Sequence, residues 1–184
     1  PDDAAVQITS PEANEGIALV EFESQVSDIN LADGGDAPVK VQGDSVTDSV
    51  VRPVAAAGET AEIIFETTKV EGVTIVNEGE GAVDIEVASG TFKSGTIDLT
   101  GSSGAEADAI TFGESTKLVK SALALGEHAD LSFEPKKVEQ LTITSSGEGS
   151  VELSVAKGTF KKSTIDLSEG STEDSISFGG DTKV

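Results

Sequence analysis

The chain has 184 residues, long enough for one domain that buries roughly 70% of the surface its unfolded form exposes. It contains no cysteine, which excludes disulfides, thiolate metal sites and thiol nucleophiles. Thirty-four acidic residues against twelve basic ones give a net charge of −22; nucleic-acid phosphates would meet a strongly negative surface, so direct nucleic-acid binding is not expected.

The acidity runs along the whole chain, with −9 over residues 1–53, −8 over 54–121 and −5 over 122–184. Dilute buffer leaves such a surface self-repelling, whereas at molar salt the Debye length falls to about 3 Å. One arginine, Arg52, and few lysines therefore point to adaptation to concentrated salt. Dilution below about 0.5 M is expected to loosen the fold or its contacts. The first twenty residues carry no basic segment and no apolar run exceeds four residues, as at Ile17 to Val20. Neither a membrane-spanning helix nor a retained signal peptide is expected, and a start at Pro1 favours intracellular synthesis.

In chain order, residues 1–53 alternate: Val20 and Phe22 against Glu21 and Glu23, then Ile29 and Leu31, then Val39 and Val41. This predicts three or four strands joined by loops such as Ala32 to Pro38. The best helical stretch, VAAAGE after Pro53, breaks at Gly58.

From Gly58 the chain repeats itself. Residues 58–99 align with 126–167 at an offset of 68, with 24 identities in 42 pairs, and the phrase GTFKSGTIDL (Gly90 to Leu99) returns as GTFKKSTIDL (Gly158 to Leu167). Two residues fewer separate AITFGESTKL (Ala109 to Leu118) from its counterpart SISFGGDTKV (Ser175 to Val184). Inside each copy the period is two, as at Val83, Ile85 and Val87, matched by Val151, Leu153 and Val155. That pattern reads as half-buried antiparallel strands. The GEG tripeptides at Gly79 to Gly81 and Gly147 to Gly149 read as hairpin turns between them. Further strands are expected at Ala61 to Glu66, Thr96 to Thr100 and Ala109 to Gly113, with counterparts at Ala129 to Glu134, Ser163 to Ser168 and Ser175 to Gly179. Six of the seven Phe form matched pairs, Phe65 with Phe133, Phe92 with Phe160 and Phe112 with Phe178, and are read as core anchors.

Two copies are too few for a solenoid, for which at least three are normally needed. The expectation is therefore one all-β domain over 1–184, an antiparallel β-sandwich or jelly-roll barrel built from an internal duplication. Its parts are N-terminal strands 1–53, a first repeat 54–121 and a second repeat 122–184; two tandem small barrels are the alternative.

Little chemistry is visible. His128 is the sole histidine, its counterpart is Thr60, and no G-x-S-x-G elbow accompanies any serine. Carboxylate pairs for glycoside hydrolysis lose meaning among so many acids, and no Trp or Tyr offers a stacking platform. DINLADGGD, Asp28 to Asp36, has oxygen ligands suited to a hard cation but misses the EF-hand spacing by one residue, which favours a plain Asp-Gly turn. No catalytic, cofactor-binding or metal residue is assigned, no cofactor or small-molecule substrate is expected, and the chain is read as no enzyme. One basic island is legible: Lys157, Lys161 and Lys162, joined by Lys136 and Lys137, with Lys157 and Lys162 replacing Ser89 and Ser94 of the first copy. The first reading is a few solvated lysines; the sharper one is contact with an acidic neighbouring subunit or an anionic lipid surface.

In its acidity, size, duplicated β pattern and lack of a visible signal, the chain resembles the smaller major capsid protein of haloarchaeal icosahedral viruses with an internal membrane, the sphaerolipovirus or halosphaerovirus type. The resemblance implies a single vertical jelly roll in the virion shell, made in the host cytoplasm. It would assemble with itself and a second, larger capsid protein into pseudo-hexameric capsomers above a viral membrane. A cell-surface or secreted binding module of a halophile, with cation dependence, is the alternative.

Overall fold

A computed structural model describes residues 39–77, 79–102, 106–147, 149–168 and 173–184 in full, together with the backbone of 5–9, 18–22 and 28–32. Strands fill it, and no helix occurs among the described residues. In order they are β1 (Ala5–Thr9), β2 (Ala18–Phe22), β3 (Asp28–Ala32), β4 (Val39–Thr47), β5 (Val50–Pro53) and β6 (Thr60–Glu71). Then come β7 (Thr74–Val76), β8 (Ala82–Lys93), β9 (Thr96–Asp98), β10 (Asp108–Val119), β11 (Ala122–Leu125) and β12 (Ala129–Phe133). The last are β13 (Lys137–Glu139), β14 (Thr142–Ser145), β15 (Val151–Lys161), β16 (Thr164–Asp166) and β17 (Ser175–Lys183).

Every pairing between these strands is parallel. One sheet runs β1-β3-β5-β7-β9-β11-β14-β16; the other holds β2, β4, β6, β8, β10, the pair β12 and β13, then β15 and β17. The chain crosses from one sheet to the other and back in each coil, so successive coils stack into a parallel β-solenoid. The expected antiparallel sandwich or jelly roll is not formed. Period-two alternation is common to parallel and antiparallel strands and cannot separate them. The GEG segments, read as hairpin turns, are instead corners that carry the chain from β7 to β8 and from β14 to β15, in opposite sheets.

The interior column Ile63, Ile85, Ile110, Leu131, Leu153 and Ile176 rises one coil per residue, at spacings of 21 to 25 residues. Three coils separate Ile63 from Leu131, which is the 68-residue repeat. The duplicated unit is thus itself three coils, and the requirement for three or more repeats is met by a shorter period than the identities display.

Inward residues of one coil pack on those of the next. Ile75, Ile97, Leu123 and Ile143 form one buried column; Val70, Phe92, Leu118, Val138 and Phe160 form another. Five rings, from Phe92 through Phe112, Phe133 and Phe160 to Phe178, run up the interior with successive centroids 5.1 to 6.3 Å apart. Phe65 and five more of the paired phenylalanines were read as core; five of the six are buried, and Phe178 is 48% exposed.

Each long strand of the second sheet bends midway, where register shifts or pairing lapses, as between Phe112 and Ser115. In one coil the halves separate into β12 and β13 around Pro135. Gly90 sits at such a bend with φ 85°, and a Cβ there would lie 2.3 Å from the Thr67 carbonyl oxygen. This explains the glycine opening the repeated phrase. Thr116 and Thr182 close the bend in both copies, their hydroxyls donating to the carbonyls of Val87 and Val155. The bend divides the second sheet, giving each coil three sides. At the corner that follows stands one left-handed residue per coil: Asp48, Gly72, Ser94, Lys120, Gln140 and Lys162. The N–H groups of the first five donate to the next coil, that of Asp48 reaching the Glu71 carbonyl at 2.8 Å and that of Gln140 the Lys161 carbonyl at 2.9 Å.

Candidate interaction surface

Stacking turns a sequence position within the coil into a column on the surface, at about 4.8 Å per step. On the side formed by the second halves of the long strands, one outward column reads Lys69, Thr91, Lys117, Lys137. The coil after Lys137 places Thr159 in this column, and Thr159 pairs with Lys183 of the coil beyond. The adjacent column reads Glu71, Lys93, Val119, Glu139, Lys161. Lys120 and Lys162 occupy the following corner, and Lys136 and Lys157 the preceding bend. Ten of the twelve basic residues thus lie in segments 66–71, 88–94, 113–120, 134–140, 156–162 and 179–183, which hold only six acidic residues. This side carries +4, and the rest of the chain −26.

Part of the charge is paired. Glu71 binds both Lys69 and Lys93, whose hydrogen bonds hold its carboxyl down at about 2. Lys137 pairs with Glu139, and Lys157 with Glu114, each lowering the carboxyl below its ordinary value. Among the described residues no salt bridge reaches Lys117, Lys120, Lys161, Lys162 or Lys183. Lys117 and Lys137 are direct register partners, an arrangement of like charges that costs a few tenths of a kcal/mol or more.

The neighbouring side, made by the first halves of the long strands, is the opposite. Its outward column is Glu62, Asp84, Ala109, Asp130, Glu152. Partial burial and the nearby Asp84 and Glu86 raise the Glu62 carboxyl, and burial raises Asp84. An open concavity of about 310 Å³ lies here over Ala109, Thr111, Ser132 and Ser154 between Asp130 and Glu152. Had the lysines served to quiet internal repulsion, this column is where they would relieve most.

The basic island expected from the sequence is brought together: Lys136, Lys137, Lys157, Lys161 and Lys162 share one side. Lys69, Lys93, Lys117, Lys120 and Lys183 belong to it too and were missed. Their signal was recurrence, since Lys69, Lys93, Lys117, Lys137, Lys161 and Lys183 follow one another at 20 to 24 residues, the coil period. His128 lies at the corner before β12, where Nδ1 accepts the Ser150 N–H at 3.3 Å, and among the described residues no hydroxyl or carboxylate is hydrogen-bonded to it. Asp28 to Ala32 of the DINLADGGD segment form β3, and Asp33 to Asp36 lie outside the described residues, as does most of the expected loop to Pro38. No group of three His, Asp or Glu in metal-holding geometry occurs among the described residues.

No known family matches this chain, and no characterised protein or solved structure proved similar to it.

Proposed function

We propose that the chain is a non-catalytic structural module of a surface bathed in concentrated salt, which docks an acidic partner along its lysine side. The observation that carries this reading is charge segregation: a side of +4 on a chain of −22, built by lysines that recur with the coil. A solenoid of parallel strands is a stiff rod with flat sides, suited to long, regular contacts. A virion shell is one such surface and a cell envelope another. Upright jelly-roll capsomers, however, do not follow from this fold, and the reading is confined to a structural partner-binding role.

Retention on immobilised polyglutamate tests it. At about 0.5 M salt, the lowest at which the fold is expected to hold, the wild-type protein is expected to bind despite its net charge, with retention weakening as salt rises further. The triple variant Lys117→Glu, Lys137→Glu, Lys161→Glu should flow through while melting as a folded protein. No retention of the wild type, or equal retention of both, would defeat the proposal.

A further inference from the structure

Stacking writes two ladders of opposite sign on neighbouring sides of the second sheet. Along the second halves of the long strands, six successive coils supply one lysine each to two adjacent columns: Lys69, Lys93, Lys117, Lys137, Lys161 and Lys183. Lys93 and Lys161 fill the steps at which Thr91 and Thr159 stand in the first column. Along the first halves, the same coils supply the carboxylates Glu62, Asp84, Asp130 and Glu152 to one column, and Ala109 takes the step between Asp84 and Asp130.

Neither ladder is neutralised within the molecule. Among the described residues no salt bridge reaches Lys117, Lys161 or Lys183, and none reaches Glu62, Asp84, Asp130 or Glu152. Lys117, Lys161, Lys183, Glu62, Asp130 and Glu152 are all exposed. Like charges repeated at about 4.8 Å per coil repel along each ladder, and contact between the two would relieve both. Their steps agree because the same coils set them. A lysine ladder laid along the carboxylate ladder of another copy therefore stays in step from coil to coil, whereas a foreign acidic surface of different spacing would drift out of it. The net charge of −22 opposes approach from a distance. At about 0.5 M salt, however, charges are screened beyond about 4 Å, so repulsion between whole molecules fades while pairs in contact persist.

We infer that copies of this protein associate side by side, the lysine side of one against the carboxylate side of the next. The inference rests on the proposed docking of an acidic partner and names that partner as a second copy. The contact is heterologous, so each pair leaves one side of each sign free to bind a further copy. A strip of about five coils by five residues covers roughly 400 Å² per copy, about half of what a stable complex buries, so the association is reversible and needs high protein concentration.

Sedimentation velocity of the full chain at about 0.5 M salt, over a rising concentration series, tests it. The wild type should form species larger than 18.7 kDa that grow with concentration and return to monomer as salt rises to several molar. The lysine-side triple variant Lys117→Glu, Lys137→Glu, Lys161→Glu and the carboxylate-side triple variant Glu62→Lys, Asp130→Lys, Glu152→Lys should each stay monomeric, with melting profiles of a folded protein. Mixed in equal amounts they should associate again, because each keeps the side that the other has reversed. The carboxylate-side variant keeps its lysines and should still be held on polyglutamate. A wild type held on polyglutamate yet monomeric at every concentration would overturn this inference alone and assign the lysine side to a different acidic partner. A mixture that does not pair, or self-association that survives in either triple variant, would overturn it too.

Discussion

The two copies of the repeat spell nearly the same strands and end in different surroundings. Phe112 and Ile110 are wholly buried, whereas their counterparts Phe178 and Ile176 are about half exposed; Ile97 is buried and Ile165 only partly. Nothing in the side chains accounts for this. A coil in the middle of the stack has neighbours on both edges, and the last described coil has one. Burial in a solenoid belongs to position in the stack, and stability accumulates through contacts between adjacent coils.

The sharpest way to break that comparison is to delete the same ring in both copies. Phe112→Ala empties a site packed between Phe92 and Phe133 and should cost about 3–5 kcal/mol. Phe178→Ala removes a ring with one aromatic neighbour, Phe160, and should cost under about 1 kcal/mol. Urea unfolding of both variants at matched salt gives the two values. Equal losses would mean that the last coil is as well covered as the middle ones.

Strand positions were legible because alternation is a local signal. Val83, Ile85 and Val87 turn inward whichever partner they have, and Phe92 and Phe160 both reach the core. Strand direction was not legible, because it is set by which strand lies alongside, and the true neighbour of Ile85 is Ile110, one coil away. The coil period was masked by divergence within the 68-residue unit: adjacent coils share a hydrophobic column but few letters, and their lengths vary from 21 to 25 residues. The duplicated phrase, louder in identities, concealed the shorter repeat. For the same reason five of the lysines looked scattered until the coils were stacked.

A second contrast lies in a buried carboxyl found in both copies. Asp108 and Asp174 occupy the inward column, and each accepts a backbone N–H from an earlier coil through Oδ1, Val83 and Val151 respectively, at 2.8 Å. Asp108 is fully buried, and burial pushes its pKa up to about 6, against the pull of the Ser102 hydroxyl and the Val83 N–H. Because the folded value exceeds the unfolded one, the fold favours the protonated acid. Stability from this group is fully present below about pH 4 and is lost as pH rises through about 6, a difference of roughly 3 kcal/mol. Asp108→Asn keeps an oxygen for the Val83 N–H and abolishes the titration. It should raise the melting temperature at pH 8 relative to wild type and leave little difference at pH 4. Asp174 is only partly buried, with no coil over it among the described residues. An Asp108→Asn variant that melts with the wild type at both pH values would refute the assignment.

The smallest expected effect separates stability from function at the left-handed corner. Lys120 and Gln140 hold φ of 54° and 56°, a region costing most side chains about 1 kcal/mol and tolerated better by Asn. Both donate backbone hydrogen bonds to the next coil, Lys120 to the Glu139 carbonyl and Gln140 to the Lys161 carbonyl, so the conformation is imposed by stacking. Replacing either by Asn should therefore gain up to about 1 kcal/mol in urea unfolding. Gln140→Asn leaves the charge of that side unchanged and should keep its retention on polyglutamate. Lys120→Asn removes a lysine without a salt bridge among the described residues and should elute at lower salt while unfolding later. On the proposed reading, a lysine at this strained corner serves a partner's charge rather than the fold. Equal elution of the two Asn variants would leave the corner lysine without that account.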